Sequence, residues 1–587
     1  MGMNRRDLMV KGGALAGAVG AAGAAISQAA AQAPGIAWNR ETDVVVVGSG
    51  AAGLPACIVA REAGSSVLVI EAQPHVGGHA RCSGGNMPLG GGNSSQKRYN
   101  VEDSADLLYK DLTDWSVVQP NGFPDYRYND REIIRAHADN AAPMHEFLLK
   151  HGVQFVPKPP DRQGGSSTGN SVLRTMHCAP VDWPLIQTGA PATAAQRMSM
   201  STGNGLTQPL HDAAVKAGVE FLLEHRMLEV IRERGRSGRV LGIAVEANGA
   251  RINIRARKAV ILATGGSSGN VNFRRMFDPR LTEEYCGIAG MPYSDQDASG
   301  EIAAMEVGAS LWGLYNQTAE HGSSITKPGQ IGCQYGYVNL RWQATSPMFA
   351  KVRATGLRVT DWQNVITVNM LGKRFYDETG RQYTSNAYKG VDPYVHGSYL
   401  NAKNQKFDPN NWINAAMQGI GDGYNGGGPI WAIFDADAAA REKWEPKPPN
   451  VDVDGGFFFE APTIAELAAK IQMKYQRLPM PPGNLEETVG RYNGFVDQGR
   501  DFDFGKPKPL YRIAKGPFYA AWCTPVLHDT RAGLRVNARA QVIDLKGEVI
   551  PGLYAGGEVA GGFSMHGLPR CTTQGFIAGR NAAGETV

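Results

Sequence analysis

The chain is 587 residues long, with 42% hydrophobic and 19% charged residues, which excludes whole-chain disorder and leaves room for roughly two to four structural units. A formal net charge of +4 is small for this size and excludes a broadly basic nucleic-acid binder. Seven cysteines, at positions 57, 82, 178, 286, 333, 523 and 571, are too few for a disulfide scaffold and form no C-x-x-C pair, so no zinc ribbon, thioredoxin-type motif, haem attachment or other metal centre is expected.

The N-terminal segment reads as an export signal. Asn4-Arg5-Arg6-Asp7-Leu8-Met9 carries a twin arginine, and a weakly apolar Ala/Gly-rich stretch follows from Gly12 to Ile26, too short for a membrane span. It resembles the twin-arginine (Tat) leaders of bacterial redox proteins, which are exported already folded around a cofactor. Two A-x-A sites close the stretch, and Pro34 disfavours cleavage after Ala33, so cleavage after Ala31 is expected. Residues 1–31 are then a Tat signal peptide, and the remainder is a nearly neutral periplasmic protein. A tail without a targeting role is the plainer alternative.

Asp43-Val44-Val45-Val46-Val47 is an unbroken β-branched run of the kind that forms a buried parallel strand. It leads into Gly48-Ser49-Gly50-Ala51-Ala52-Gly53, an Ala-rich helical stretch to about Gly64, and a second apolar strand from Ser66 to Ile70 ending in Glu71. The order strand, G-x-G-x-x-G, helix, strand, acid is that of a dinucleotide-binding unit. Its glycines admit a pyrophosphate to a helix N-terminus, and the carboxylate can take ribose hydroxyls. An ordinary tight turn is the alternative for each glycine taken singly.

Three later segments bear on which dinucleotide it is. Gly77-Gly78-His79-Ala80-Arg81-Cys82-Ser83-Gly84-Gly85-Asn86 offers the close backbone approach that a flavin ribityl chain needs. Ala259-Val260-Ile261-Leu262-Ala263 enters the turn Thr264-Gly265-Gly266, and Ile550-Pro551-Gly552-Leu553-Tyr554-Ala555 enters Gly556-Gly557-Glu558. With these motifs the chain resembles the fumarate reductase/succinate dehydrogenase flavoprotein family, which includes soluble fumarate and urocanate reductases, tricarballylate dehydrogenase and ketosteroid dehydrogenases. The resemblance runs from about residue 41 to 583.

The resemblance implies an α/β fold: a Rossmann-like (GR2-type) FAD-binding domain, residues 41–317 and 526–587, with an inserted α+β capping domain, residues 318–525. It implies Gly48, Gly50, Ala51, Ala52 and Gly53 at the pyrophosphate and Glu71 on the adenosine ribose. It places Gly78, Ser83, Gly84 and Gly85 beside the flavin, Glu558 on the ribityl chain, and Thr264, Gly265, Gly266, Thr572 and Thr573 among the cofactor-binding residues. Some members attach FAD covalently through a His ahead of the G-G pair. His79 sits one residue closer to Gly84 than that His does, so non-covalent FAD is expected.

Residues 318–525 hold 29 of the 49 aromatic residues, either as the core of a small domain or as the wall of a pocket for a cyclic or aryl substrate. Residues 406–429 and 444–457 read as long loops. Within the cap, Gly372-Lys373-Arg374-Phe375-Tyr376-Asp377-Glu378-Thr379-Gly380-Arg381 resembles the segment that carries the proton-donating Arg of fumarate reductases. Arg381 is the candidate acid, with Tyr383 as a phenolic alternative; an ion pair of Arg381 with Asp377 or Glu378 is the structural alternative.

Beyond the cap, Leu527-His528-Asp529-Thr530-Arg531-Ala532-Gly533 keeps His528 as a candidate. It places Asp529 where fumarate enzymes bind a substrate carboxylate with a His, so fumarate itself is not expected. The segment Gly561 to Gly575, expected to precede the last helix, supplies His566 and Arg570 as candidate active-site residues and backbone amides toward the flavin pyrimidine.

The expected protein is an exported FAD enzyme that reduces or forms a C=C bond beside a carbonyl or carboxylate by hydride transfer at flavin N5. A separate carrier, such as a cytochrome c or a quinone-linked module, exchanges its electrons. The alternatives are an O2-using flavin oxidase and a non-catalytic flavin electron-carrier subunit.

Overall fold

The valine run forms β1 (Arg40–Val47) because each of its faces is buried in a different layer. Val45 and Val47 pack with Leu68, Ile70, Val260 and Leu262, whereas Val44 and Val46 pack with Val67, Val69, Ala259 and Ile261. Burial on both faces leaves no polar position, hence the unbroken pattern. The computed structural model describes residues 35–113, 129–161, 171–181, 203–277, 281–284, 287–288, 294–312, 325–326, 328–334, 353–379, 428–506, 508–524, 526–527, 530–563, 565 and 567–586. The chain divides into Met1–Ala37 and Trp38–Val587, and every element named here belongs to the second unit. The leader assignment, residues 1–31, falls outside the described residues.

After β1 come α1 (Gly53–Glu62), β2 (Val67–Ile70), α2 (Arg131–Lys150), β3 (Glu220–Leu222), β4 (Arg226–Arg234), β5 (Ser237–Ala247), β6 (Ala250–Leu262) and α3 (Ser299–Glu306). Next follow β7 (Ile366–Val368), β8 (Trp431–Asp435), β9 (Phe458–Ala461), α4 (Pro482–Gln498) and β10 (Phe518–Trp522). The chain ends with β11 (Gln541–Ile543), β12 (Val549–Ala555) and α5 (Gly567–Ala583).

The main sheet has eight strands in the order β11-β12-β6-β1-β2-β3, with β5 also on β6 and β4 on β5. The β12-β6-β1-β2-β3 pairings are parallel. Helix α5 lies directly on α1: a Cβ at Gly575 would collide with Ala52 O, and one at Gly579 with Ala56 O. That contact explains a departure from the sequence reading. The helix begins at Gly567, so Arg570, Thr572 and Thr573 are helical rather than part of a preceding loop. Tertiary packing overrides the weak helix preference of Thr572-Thr573-Gln574-Gly575.

A second, antiparallel sheet has the order β7-β8-β10-β9. It too is buried on both faces: Ala432, Phe434, Tyr519 and Ala521 point into one core, and Trp431, Ile433, Ala520 and Trp522 into another that also holds Leu485, Val489 and Tyr492 of α4. The aromatics described here are core residues in edge or stacked contact, Trp431 with Trp522 at 6.0 Å and Phe434 with Tyr519 at 5.0 Å. Residues 444–457 form no helix or strand. Among the described residues no helix is long and apolar enough to cross a membrane.

Candidate active site

Strand register brings four carboxyl ends into one row. Val47 pairs with Ile70 on one side and Leu262 on the other, and Leu262 pairs with Ala555. The segments leaving these ends therefore emerge together: Gly48 to Ala52, Glu71 to Gln73, Ala263 to Gly265, and Gly556 to Glu558. They line one cleft, whose empty space is about 1320 Å³ with the open solvent at its mouth included. Open parallel sheets bind ligands at this edge.

The three glycines of G-x-G-x-x-G do different work. Gly48 has φ +99°, and a Cβ there would collide with Ala263 O, so it closes the approach of β1 to β6. A Cβ at Gly53 would collide with Gly48 O, which makes this glycine a packing requirement of α1. At Gly50 a Cβ would meet nothing nearer than Gly77 O at 3.8 Å, so its missing side chain leaves cleft space. The first turn of α1 carries no acidic residue and no side-chain cap, so the positive end of the helix faces the cleft unneutralised.

Glu71 is 7% exposed. Its Oε2 accepts hydrogen bonds from Ser49 N at 3.0 Å and Ser49 Oγ at 2.5 Å, and its Oε1 accepts one from Gln73 N at 2.9 Å. Burial pushes its carboxyl above the ordinary glutamate value, against the opposing pull of these donors.

Across the cleft, the segment Ser294 to Ser299 supplies residues that the sequence reading missed. Gln296, with φ 44° and 2% exposure, donates from its amide nitrogen to Glu558 Oε2 at 2.8 Å and meets His79 Nδ1 at 2.9 Å. Its amide oxygen accepts from Ser268 Oγ. Arg226, at the start of β4, ion-pairs with Asp295 and with Asp297, the latter at 2.6 Å, and so pins the segment beside the cleft. The only sequence signal was a run of polar residues directly before a helix, Ser294-Asp295-Gln296-Asp297.

Of the expected cofactor residues, Gly48, Gly50, Ala51, Ala52, Glu71, Gly78, Ser83, Gly84, Gly85, Thr264, Gly265 and Glu558 line the cleft. Four others stand behind it. Gly53 packs on Gly48, and a Cβ at Gly266 would collide with Thr530 Oγ1. Thr572 Oγ1 donates within its own helix to Leu568 O at 2.9 Å, and Thr573 is fully buried. Arg381, Tyr383, His528 and His566 lie outside the described residues.

Arg570 is 1% exposed. Its guanidinium donates to the backbone carbonyls of Thr530 at 3.3 Å and Gly557 at 3.2 Å, and to that of Ala560. It ties the end of β12 to the segment returning from the second sheet. Within that sheet's layer, Glu378 receives both Arg374 Nε at 3.1 Å and Arg374 Nη2 at 3.2 Å, with Lys506 Nζ 3.4 Å away and Thr367 N donating at 2.9 Å. Asp377 Oδ1 accepts from Thr379 N and Thr379 Oγ1. Burial alone would raise the Glu378 carboxyl, but Arg374 and Lys506 hold it down at about 2.

The cleft fits FAD. Glycines at 50, 78 and 567 leave space where side chains would stand, the N-terminus of α1 faces a pyrophosphate position, and Thr264 Oγ1 is buried with no hydrogen-bond partner among the described residues. Residues 43–572 match the family model described as an FAD binding domain. The chain is 28% identical to 3-oxosteroid 1-dehydrogenase of Mycolicibacterium smegmatis, over 90% of this chain and 94% of that one. It is 27% identical to fumarate reductase (cytochrome) of Shewanella frigidimarina, over 92% of this chain and 77% of that one. The fold matches the crystal structure of 3-ketosteroid delta1-dehydrogenase from Sterolibacterium denitrificans with a TM-score of 0.61 at 20% identity, covering 93% of this chain and all of that one. Fold and site thus define an FAD-dependent oxidoreductase. The chain belongs to the fumarate reductase/succinate dehydrogenase flavoprotein family, whose members act on CH–CH bonds.

Proposed function

We propose that the chain is an exported enzyme that reduces, or forms, a C=C bond next to a carbonyl or carboxylate. One observation carries the reading: over nine-tenths of its length the chain is similar both to a dehydrogenase of a 3-oxosteroid and to a reductase of fumarate. Those two reactions run in opposite directions but share an unsaturated carbon beside a carbonyl or carboxyl group.

Bound FAD supplies a two-electron carrier that exchanges hydride at N5. Gly48, Gly50 and the first turn of α1 hold its pyrophosphate, Glu71 its adenosine ribose, and Glu558 its ribityl hydroxyls. Residues 318–525 form the cap over the cleft. Arg381, or Tyr383, gives or takes the proton on the neighbouring carbon, with His528 and His566 as further site residues. Arg570 holds the Gly557–Ala560 backbone in place. The FAD is non-covalent, and the twin-arginine segment within residues 1–31 directs export to the periplasm. There a cytochrome c or a quinone-linked module exchanges electrons with it.

The test has two stages. Acid precipitation of the purified protein is expected to release flavin with absorbance near about 370 and 450 nm into the supernatant. The holoprotein, reduced without oxygen, is then mixed with a panel of enones and enoates. Rapid return of the oxidised flavin band with one panel member supports the proposal. A flavin that no member of the panel reoxidises contradicts it.

A further inference from the structure

We infer that Gln296 is a positioning residue that sets the tautomer of His79 and the orientation of Glu558 within the flavin cleft, an inference that rests on the FAD reading of that cleft. All three residues line the cleft. They come from segments far apart in the chain, His79 and Gln296 differing by 217 in residue number and Gln296 and Glu558 by 262.

The chemistry of the contact is one-sided. A primary amide nitrogen carries two hydrogens and accepts nothing, whereas a carboxylate only accepts. The bond to Glu558 Oε2 at 2.8 Å therefore orients the amide with its nitrogen toward the carboxylate. That same nitrogen lies 2.9 Å from His79 Nδ1. Its second hydrogen goes there, so Nδ1 offers its lone pair and the imidazole proton resides on Nε2. The remaining amide atom, Oε1, accepts from the buried Ser268 Oγ, as an amide oxygen must.

The backbone holds this geometry. Gln296 takes a left-handed φ of 44°, its carbonyl accepts Gly269 N at 2.8 Å, and Asn270 Nδ2 donates to Asp297 O at 3.0 Å. A left-handed conformation at a residue with a long side chain is uncommon and persists where neighbours impose it. Here it delivers one amide to two groups of the cofactor cleft.

The experiment reads the tautomer directly. Holoprotein labelled with ¹⁵N-histidine is examined by long-range ¹H–¹⁵N correlation at pH 7, and the His79 signals are assigned by their loss in His79→Gln. The wild type is expected to show an unprotonated Nδ1 and a protonated Nε2. Gln296→Glu, which replaces the donating nitrogen by an oxygen, is expected to move a proton onto Nδ1. Gln296→Met keeps the length without the donor and is expected to weaken FAD binding by about tenfold, a figure of the size that one misplaced hydrogen-bonding group costs, because Glu558 and His79 lose the amide that orients them. A protonated Nδ1 in the wild type would overturn the inference, and so would an unchanged tautomer in Gln296→Glu. If the wild-type apoprotein takes up no FAD, the cofactor reading fails first and this inference with it.

Discussion

Ser49 donates twice to one oxygen of Glu71: its backbone N–H reaches Oε2 at 3.0 Å and its hydroxyl reaches the same atom at 2.5 Å. This pair joins the turn after β1 to the end of β2 and fixes the carboxylate beside the glycines. Ser49→Ala is expected to remove one of the two donors, leave Glu71 poorly oriented, and raise the Kd for FAD by roughly 5- to 10-fold, in keeping with about 1 kcal/mol per hydrogen bond. Fluorescence titration of the apoprotein with FAD measures it; unaltered affinity would mean that the Ser49 hydroxyl is not needed to place Glu71, which Ser49 N and Gln73 N still hold.

The glycines at 50 and 53 separate cofactor space from packing. Gly50→Ala is expected to leave thermal stability nearly unchanged and to weaken FAD binding, because its methyl group enters the cleft. Gly53→Ala drives a methyl group into Gly48 O and is expected to destabilise the apoprotein by at least about 1–3 kcal/mol. Thermal unfolding and FAD titration of both variants check the division.

Glu301 on α3 is fully buried, and among the described residues no other residue hydrogen-bonds its carboxyl oxygens. Burial, against a hydrogen bond from its own backbone and with a smaller contribution from Asp297, holds it well above the ordinary glutamate value, so the folded protein binds this proton more tightly than the unfolded chain. The unfolded chain ionises it near 4.5. Stability is therefore lost as pH rises above that value, by up to about 1.4 kcal/mol per pH unit, until the raised folded value is passed. Glu301→Gln is expected to remove this slope and to raise Tm at pH 8 more than at pH 4. An equal effect at both pH values would contradict the assignment.

In the second sheet's layer, Glu378 sits between Arg374 and Lys506 with all three side chains buried. Glu378→Ala leaves the buried Lys506 without its ion-pair partner and Arg374 with Asp501 alone, at 3.0 Å, and is expected to cost about 3–5 kcal/mol in urea unfolding at pH 7. The sign with pH is opposite to that of Glu301. The stabilisation from Glu378 is complete above the ordinary glutamate value and is lost as pH falls from about 4.5 toward about 2. Wild type and variant should converge in stability across that window.

What the sequence disclosed follows from physics that acts locally. The Val44–Val47 run, the glycine turn and the acid at Glu71 are contiguous signals, because a strand buried on both faces and a helix N-terminus each impose a pattern on neighbouring residues. The hub at Gln296 left no such trace, since its partners come from remote segments and its role depends on an amide orientation set by Glu558. The beginning of α5 at Gly567 was hidden for a related reason: contacts of Gly575 and Gly579 with α1 stabilise it, rather than its own helix preference. Likewise the sequence offers Arg570 as a candidate active-site residue without showing that the fold directs its guanidinium to the carbonyls of Thr530, Gly557 and Ala560.

Whether the flavin acts on a C=C bond is decided by a single turnover of the reduced holoprotein without oxygen, with the organic product identified by mass spectrometry. An enone or enoate is expected to gain two hydrogens for each flavin reoxidised, one of them from solvent. A reduced flavin that returns to the oxidised state only with O2, releasing peroxide in equal amount and leaving every C=C compound unchanged, would contradict it.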